Sequence, residues 1–271
     1  MLAVYLSNIE AFDLRSAAAR QRRVLSALML RNVRTRFFGH GLGYLMYIAW
    51  PLSHILIIVA MFVVAGRTAP YGDSVALFIA TGALPFMIFS YLSRFMMISV
   101  FMTRPLLAFP EVKIFDVLLA SALLETLAGC CVTITLIVIG WFAGIDVMPT
   151  DIVQASYALG AALLLGLGFG LLNGVIALAF PFWITIYSLS IIAFWMSAGI
   201  FFVPDALPET FRNALAWHPV LQTTEWMRSA YYEGYGGLVL DRSYTISVGL
   251  GALFLGLLLE RAMRGHLLAL K

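Results

Sequence analysis

Charge is scarce in this sequence: Asp, Glu, Lys and Arg make up 11% of its 271 residues, against roughly 25% in an ordinary soluble domain. Lysine is nearly missing, with Lys113 and Lys271 the only two, and neither follows a glycine. The phosphate-binding pattern G-x-x-x-x-G-K-[S/T] therefore cannot occur, and the chain cannot bind ATP by such a loop. The four histidines, His40, His54, His218 and His266, are scattered, and no H-E-x-x-H, C-x-x-C or paired Asp cluster accompanies them, so no metal site is indicated. Cys130 and Cys131 are adjacent, where disulfide geometry is strained, and are expected to be inert, buried thiols. An embedded enzyme would need polar groups converging at one membrane depth, and only Arg94 and Glu125 lie well inside apolar runs.

What the sequence has in abundance is apolar surface: 62% hydrophobic residues and a mean hydropathy of +0.95. Runs near or above the ~20 residues needed to cross a bilayer cover residues 42–66, 75–101, 117–144, 153–179, 181–203 and 243–259. These predict an all-α integral membrane protein with six transmembrane helices. A single membrane domain over 1–271 divides into an N-terminal tail with its helix (1–43), the spanning region (44–260) and a short tail (261–271). No small-residue cleavage pattern follows a short apolar core near the start, so the first helix is expected to be retained.

Arg15, Arg20, Arg22, Arg23, Arg31, Arg34 and Arg36 precede the first span. Arg104 and Lys113 lie between the second and third, and Arg261, Arg264 and Lys271 follow the sixth. The positive-inside rule makes these segments cytoplasmic, with both termini inside. The net charge of +3 then reflects arginines near anionic lipid and gives no support for nucleic-acid binding.

Residues 24–38 place Val24, Leu25, Leu28 and Met29 near one stripe with Arg31 and Arg34 elsewhere, as in a helix lying in the membrane interface. Gly39, Gly41 and Gly43 then break it. Such a helix is either an anchor alone or also a contact for a cytoplasmic partner. At 100° per residue, Tyr44, Tyr47, Trp50, Pro51 and His54 of the first span fall within about 120° of arc, and Phe180, Trp183, Tyr187, Phe194 and Phe201 of the fifth within about 60°. These aromatic faces either pack against helices and lipid or line a path for a ring-shaped solute.

The fourth span carries Gly166, Gly170 and Gly174 at fourfold spacing, which favours close helix packing. Residues 204–242 read as two helical stretches, 208–217 and 221–232, split by Pro219. They form either a re-entrant hairpin on the outer face or a plain surface loop. Arg94 and Glu125 would neutralise one another as a pair between neighbouring helices, a structural role to set beside a proton relay.

The segment "RPLLAFPEVKIFD", residues 104–116, is short, charged and bounded by Pro105 and Pro110. Leu106, Leu107 and Phe109 flanked by Arg104, Glu111, Lys113 and Asp116 fit a small interface with an apolar core and polar rim, or an ordinary solvated turn. In a chain with no nucleotide loop, such a surface is well placed to be pushed by another protein.

Together with "LMLRNVRTRFFGHGLGYLMYIAWPL" (28–52) and "HPVLQTTEWMRSAYYEGY" (218–235), this segment resembles the permease subunits of bacterial type-2 ABC exporters for capsular polysaccharide and related glycans such as O-antigen. The likeness runs from about residue 25 to 271.

It implies a half-transporter in the inner membrane that pairs with a second copy of itself and docks two ATP-binding cassette subunits. Those partners would hold ATP and magnesium, this chain binding no cofactor. Arg104, Pro105, Leu106, Phe109, Pro110, Glu111, Lys113 and Asp116 would form the coupling element, beside Arg31 and Arg34 of the N-terminal helix. Tyr44, Tyr47, Trp50, Trp183, Tyr187, Phe194 and Phe201 would line the substrate path. Trp217, His218, Pro219, Glu225, Trp226, Arg228 and Tyr231 would belong to the outer hairpin. Periplasmic and outer-membrane components would continue the export of the polysaccharide. The alternatives are the same architecture carrying O-antigen, teichoic acid or another cargo, and an ion-coupled secondary carrier, which broken helices with midplane charges would favour.

Overall fold

The computed structural model describes residues 14–36, 43–109 and 112–269. Its helices are α1 (Leu14–Arg36), α2 (Gly43–Val64), α3 (Val75–Met102), α4 (Ile114–Phe142), α5 (Ile152–Ala179), α6 (Trp183–Ser197), α7 (Glu209–Ala216), α8 (Pro219–Tyr231) and α9 (Arg242–Ala269). Short 3-10 turns occupy Arg104–Ala108 and Pro204–Ala206, and no strand occurs among the described residues.

Side-chain caps set several of the starts, each supplying an acceptor to N–H groups that lack an intrahelical partner. Ser74 Oγ accepts from the Leu77 N–H at α3, Asp151 Oδ1 from Gln154 at α5, and Asp241 Oδ1 from Tyr244 at α9. The bonds from Ser243 and Tyr244 hold the Asp241 carboxyl below the usual carboxylate range.

Among the described residues five helices, α2, α3, α4, α5 and α9, are long and apolar enough to cross a membrane. The expected fifth span, 181–203, is helical only over its 15-residue α6. At 1.5 Å per residue that is about 22 Å, short of a ~30 Å hydrocarbon core. Gly199, at φ +74°, turns the chain out of the helix, a left-handed conformation that glycine adopts without a Cβ clash.

α3 and α5 are the hub. Of their spanning segments 61% and 67% of residues are buried, against 22–28% for α2, α4 and α9. The glycine pattern of α5 explains its closeness to its neighbours. A Cβ on Gly166 would sit 2.8 Å from Leu92 and one on Gly170 2.6 Å from Met96, both on α3, while one on Gly174 would meet Leu118 of α4 at 2.8 Å. Gly168 faces the other way, where a Cβ would reach the Gly249 carbonyl oxygen of α9 at 2.6 Å.

Three expectations need correction. α1 begins about ten residues before residue 24, while Gly39 and Gly41 lie outside the described residues. Cys130 is exposed and Cys131 half-buried. No ion pair joins Arg94 to Glu125 among the described residues: Arg94 is exposed, and Glu125 is buried facing Pro51, Met87, Tyr91 and Val132.

Candidate functional site

The helix ends divide the bundle into an α1 end and a hairpin end, and each carries a polar joint. At the α1 end, α3 stops at Met102, leaving carbonyls without helical partners and the negative pole of the helix. The Arg31 guanidinium of α1 sits there, donating to Thr103 Oγ1 at 2.9 Å and, at the long distance of 3.4 Å, to the Met102 carbonyl.

The chain then makes its 3-10 turn with Pro105 in the first turn, where a missing N–H costs nothing. Arg104 donates to the Leu178 carbonyl in the last turn of α5 at 2.7 Å. Leu107 is buried and Leu106 half-buried beside Leu28 of α1 and Ile114, Val117 and Leu118 of α4.

α4 begins with a capping box in which Asp116 Oδ2 accepts from the Lys113 N–H at 3.1 Å. Asp116 Oδ1 accepts from Gln21 Nε2 of α1. Asp116 is therefore not part of an exposed rim, as its sequence position implied, but a buried clamp, 2% exposed. What faces outward is Pro105, Phe109, Lys113 and Arg34. Pro110 and Glu111 lie outside the described residues.

At the hairpin end the helical stretches expected at 208–217 and 221–232 appear as α7 and α8, with Pro219 in the first turn of α8. His218 Nδ1 accepts from the Leu221 N–H at 2.9 Å and caps α8. No residue of α7 is buried, whereas Val220 through Arg228 are all buried, against α3 and α5.

Arg228, wholly inaccessible, donates from Nη2 to the Ile200 carbonyl and from Nη1 to the Phe202 carbonyl, each at 3.0 Å. Those carbonyls belong to the non-helical chain after α6, which needs partners of this kind wherever water is excluded. The guanidinium also lies 3.8 Å from the Phe78 ring centroid and 3.6 Å from Glu225 Oε1, which accepts from Tyr235 Oη at 2.7 Å. Trp226 Nε1 donates to Gln154 at 2.8 Å, and the Tyr231 carbonyl accepts from Thr150 Oγ1 at 3.0 Å, fastening α8 to the start of α5.

The aromatic residues divide. On α2, Tyr47 is buried, while Tyr44 and Trp50 are exposed. On α6, Tyr187 is buried with its hydroxyl 2.6 Å from Ser93 Oγ of α3, and Trp183 Nε1 donates to Asn173 Oδ1 of α5 at 2.9 Å. Phe194 meets the His218 ring edge-on at 5.2 Å, and Phe201 stacks on Phe62 of α2 at 5.4 Å.

No family model matches the sequence. It is similar to the polysialic acid transport protein KpsM of Escherichia coli, at 32% identity over 91% of this chain and 96% of that protein. A likeness of the same grade, 31% over 78% of this chain and 80% of the other, links it to the capsule polysaccharide export inner-membrane protein CtrC of Neisseria meningitidis serogroup B. The chain belongs to the permease family of capsule polysaccharide exporters. BexB of Haemophilus influenzae, another capsule polysaccharide export inner-membrane protein, is 27% identical over 87% of this permease and 92% of its own length.

Several residues that hold the permease together escaped the sequence reading: Gln21, Thr103, Ser93, Asn173, Phe78, Gln222 and Tyr235. Gln222 did leave a signal. With Glu225 and Arg228 it repeats every third residue along α8, the spacing that brings long polar side chains of a helix within reach of one another.

Proposed function

We propose that two copies of this chain, docked on two ATP-binding subunits carrying ATP and magnesium, pass lipid-linked capsular polysaccharide across the inner membrane. Relatives named for capsule polysaccharide export, and one named for polysialic acid transport, support a polysaccharide cargo. The α1 end is the cytoplasmic end in this reading, with both chain termini inside. α6 together with the non-helical chain up to Val203 makes the fifth of six crossings. α1 lies in the membrane interface, and α7–α8 form a re-entrant hairpin at the outer mouth, continued by periplasmic and outer-membrane components.

The observation that carries the mechanism is the three-way tie at the 104–108 turn. α1 is fastened to the end of α3 through Arg31 and to the start of α4 through the Gln21–Asp116 bond, and the turn that follows α3 is fastened to α5 through Arg104. A push on exposed Phe109 and Lys113 reaches four helices at once. Exposed Tyr44 and Trp50 offer ring faces on which sugar C–H faces slide, and buried Tyr187 holds α6 to α3 rather than touching cargo.

The test is to replace Phe109 and Glu111 with alanine. Partner binding should persist while export falls and ATP hydrolysis no longer responds to cargo. Normal export with normal partner binding would discard the coupling role.

A further inference from the structure

The 23 residues of α1 include seven arginines and neither Asp nor Glu. The rest of the α1 end has the same sign. Its acids Asp116, Glu125 and Glu260 are buried, at 2%, 7% and 5% exposed, while Arg94, Arg104, Lys113 and Arg261 are exposed. Glu10, Asp13 and Glu111 lie outside the described residues. Among the described residues, then, this end shows only positive charge to its surroundings.

Gln21, which ties α1 to Asp116 at the start of α4, sits inside that charge. Arg20, Arg22 and Arg23 adjoin it, and all three are exposed. At 100° per residue they leave the helix about 100° to either side of Gln21 and about 200° from it, on the sides turned away from the Asp116 contact. Some three turns further on, Arg31 reaches the end of α3, and the Asn32 carbonyl accepts from Tyr47 Oη near the start of α2 at the long distance of 3.5 Å. α1 therefore lies beside the ends of three long apolar helices, the level at which a bilayer passes from hydrocarbon to headgroups. Between its cations it exposes apolar groups, Ala19, Ala27 and Leu30, the last 53% exposed.

We propose that the arginine cluster around Gln21 binds the phosphate groups of anionic membrane phospholipids, and that lipid held there seats α1 so that the Gln21–Asp116 tie is kept. A guanidinium meets a phosphate with two parallel N–H bonds. A basic helix with exposed aliphatic side chains suits the boundary of headgroups and acyl chains better than an aqueous protein contact. The consequence is regulation by membrane charge: in a neutral bilayer the cluster stays unfilled, α1 sits less firmly, and the first turn of α4 loses the support that steadies the neighbouring 104–108 turn.

This inference rests on the reading above that α1 lies in the membrane interface, and the experiment needs neither cargo nor export. The full chain in detergent is titrated with phosphatidylglycerol or phosphatidylcholine, and retained lipid is counted by native mass spectrometry. Phosphatidylglycerol should be kept in preference, phosphatidylserine should serve as well, and the triple variant Arg20→Gln, Arg22→Gln, Arg23→Gln should lose the preference, at about fivefold for each arginine. The triple change to lysine should keep most of it. In nanodiscs, backbone amide exchange in the first turn of α4 should be slower with phosphatidylglycerol present than in phosphatidylcholine alone. Gln21→Ala should still retain the lipid while that turn no longer responds to it.

Equal retention of the two lipids, retention unchanged in the glutamine variant, or an α4 response that survives Gln21→Ala would each overturn the proposal. So would a glutamine variant that keeps its lipid but no longer captures the ATP-binding partner, since the arginines would then dock a protein. Surface polymer in cells lacking the chain tests the export reading separately: if polymer still reaches the surface, that reading fails while the lipid preference stands on its own counts.

Discussion

The joints at the two ends of the bundle use the same device to opposite effect. In each, an arginine from one element satisfies backbone carbonyls of another: Arg31 and Arg104 at the α1 end, Arg228 at the hairpin end. Arg228 is sealed from solvent, charge-paired with Glu225 and laid on Phe78. Arg104 is exposed and Arg31 half-buried, with water at hand to replace either bond. A net hydrogen bond in such a setting contributes about 0.5–1.5 kcal/mol, whereas removing one member of a buried ion pair costs about 3–5 kcal/mol, because the survivor is stranded. The contrast assigns rigidity to the hairpin end and adjustability to the end that a partner would push.

The largest effect is expected from Arg228→Met. It strands the Glu225 charge and orphans the carbonyls of Ile200 and Phe202, for a loss of about 3–5 kcal/mol, read as a lower unfolding temperature in detergent and failure to accumulate in membranes. The double variant Arg228→Met with Glu225→Gln should recover a measurable part of that loss, since the stranded charge is gone. No recovery would show that the carbonyl bonds, not the ion pair, hold the hairpin. Next comes Gly82→Ala. A Cβ there would lie 2.9 Å from Arg228 Nη2 and 3.1 Å from the Ile200 Cα, and crowding of this kind costs typically about 1–3 kcal/mol. Gly129→Ala, whose Cβ would meet only the Ile88 side chain at 3.4 Å, is the control and should be nearly silent.

How far the sequence foretold these joints follows from what a membrane does to sequence patterns. Runs of apolar residues foretold the five helices long enough to span, most of their ends to within a few residues, because a bilayer demands length and little else. The glycine spacing of α5 pointed to close packing, and the stretches 208–217 and 221–232 foretold α7 and α8. The faces were harder. Tyr47 and Trp50 share one arc by helical spacing, yet one is buried and the other is exposed, since lipid and protein core are both apolar and neither face needs a polar signature. Cys130 misleads for the same reason. The break after Ser197 sits in an unbroken apolar run, and the partners of Arg228 lie 26 and 28 residues away, where no local pattern reaches. Asp116 looked like a rim residue because charge beside a turn is usually solvated; its two bonds, to Gln21 and to the Lys113 N–H, depend on where α1 docks.

At the α1 end the effects should be smaller on stability and larger on coupling. Asp116→Ala removes the capping box of α4 and the tie to Gln21, costing about 1–2 kcal/mol. ATP hydrolysis by the bound partner should continue while polymer export drops, because α1 and α4 no longer move together. A matched fall in both would mean that Asp116 only supports folding.

Arg104→Ala is the mildest test and the sharpest. It removes one half-buried bond, to the Leu178 carbonyl of α5, worth about 0.5–1.5 kcal/mol, so the unfolding temperature should move little. If α5 takes its share of the push through that bond, export per ATP hydrolysed should still fall, and Arg104→Lys, which keeps a donor at the same place, should restore part of it. If Arg104→Ala exports as efficiently as the parent, the push travels through the α3–α4 connection alone, and the exposed arginine is a cap on α5 and nothing more.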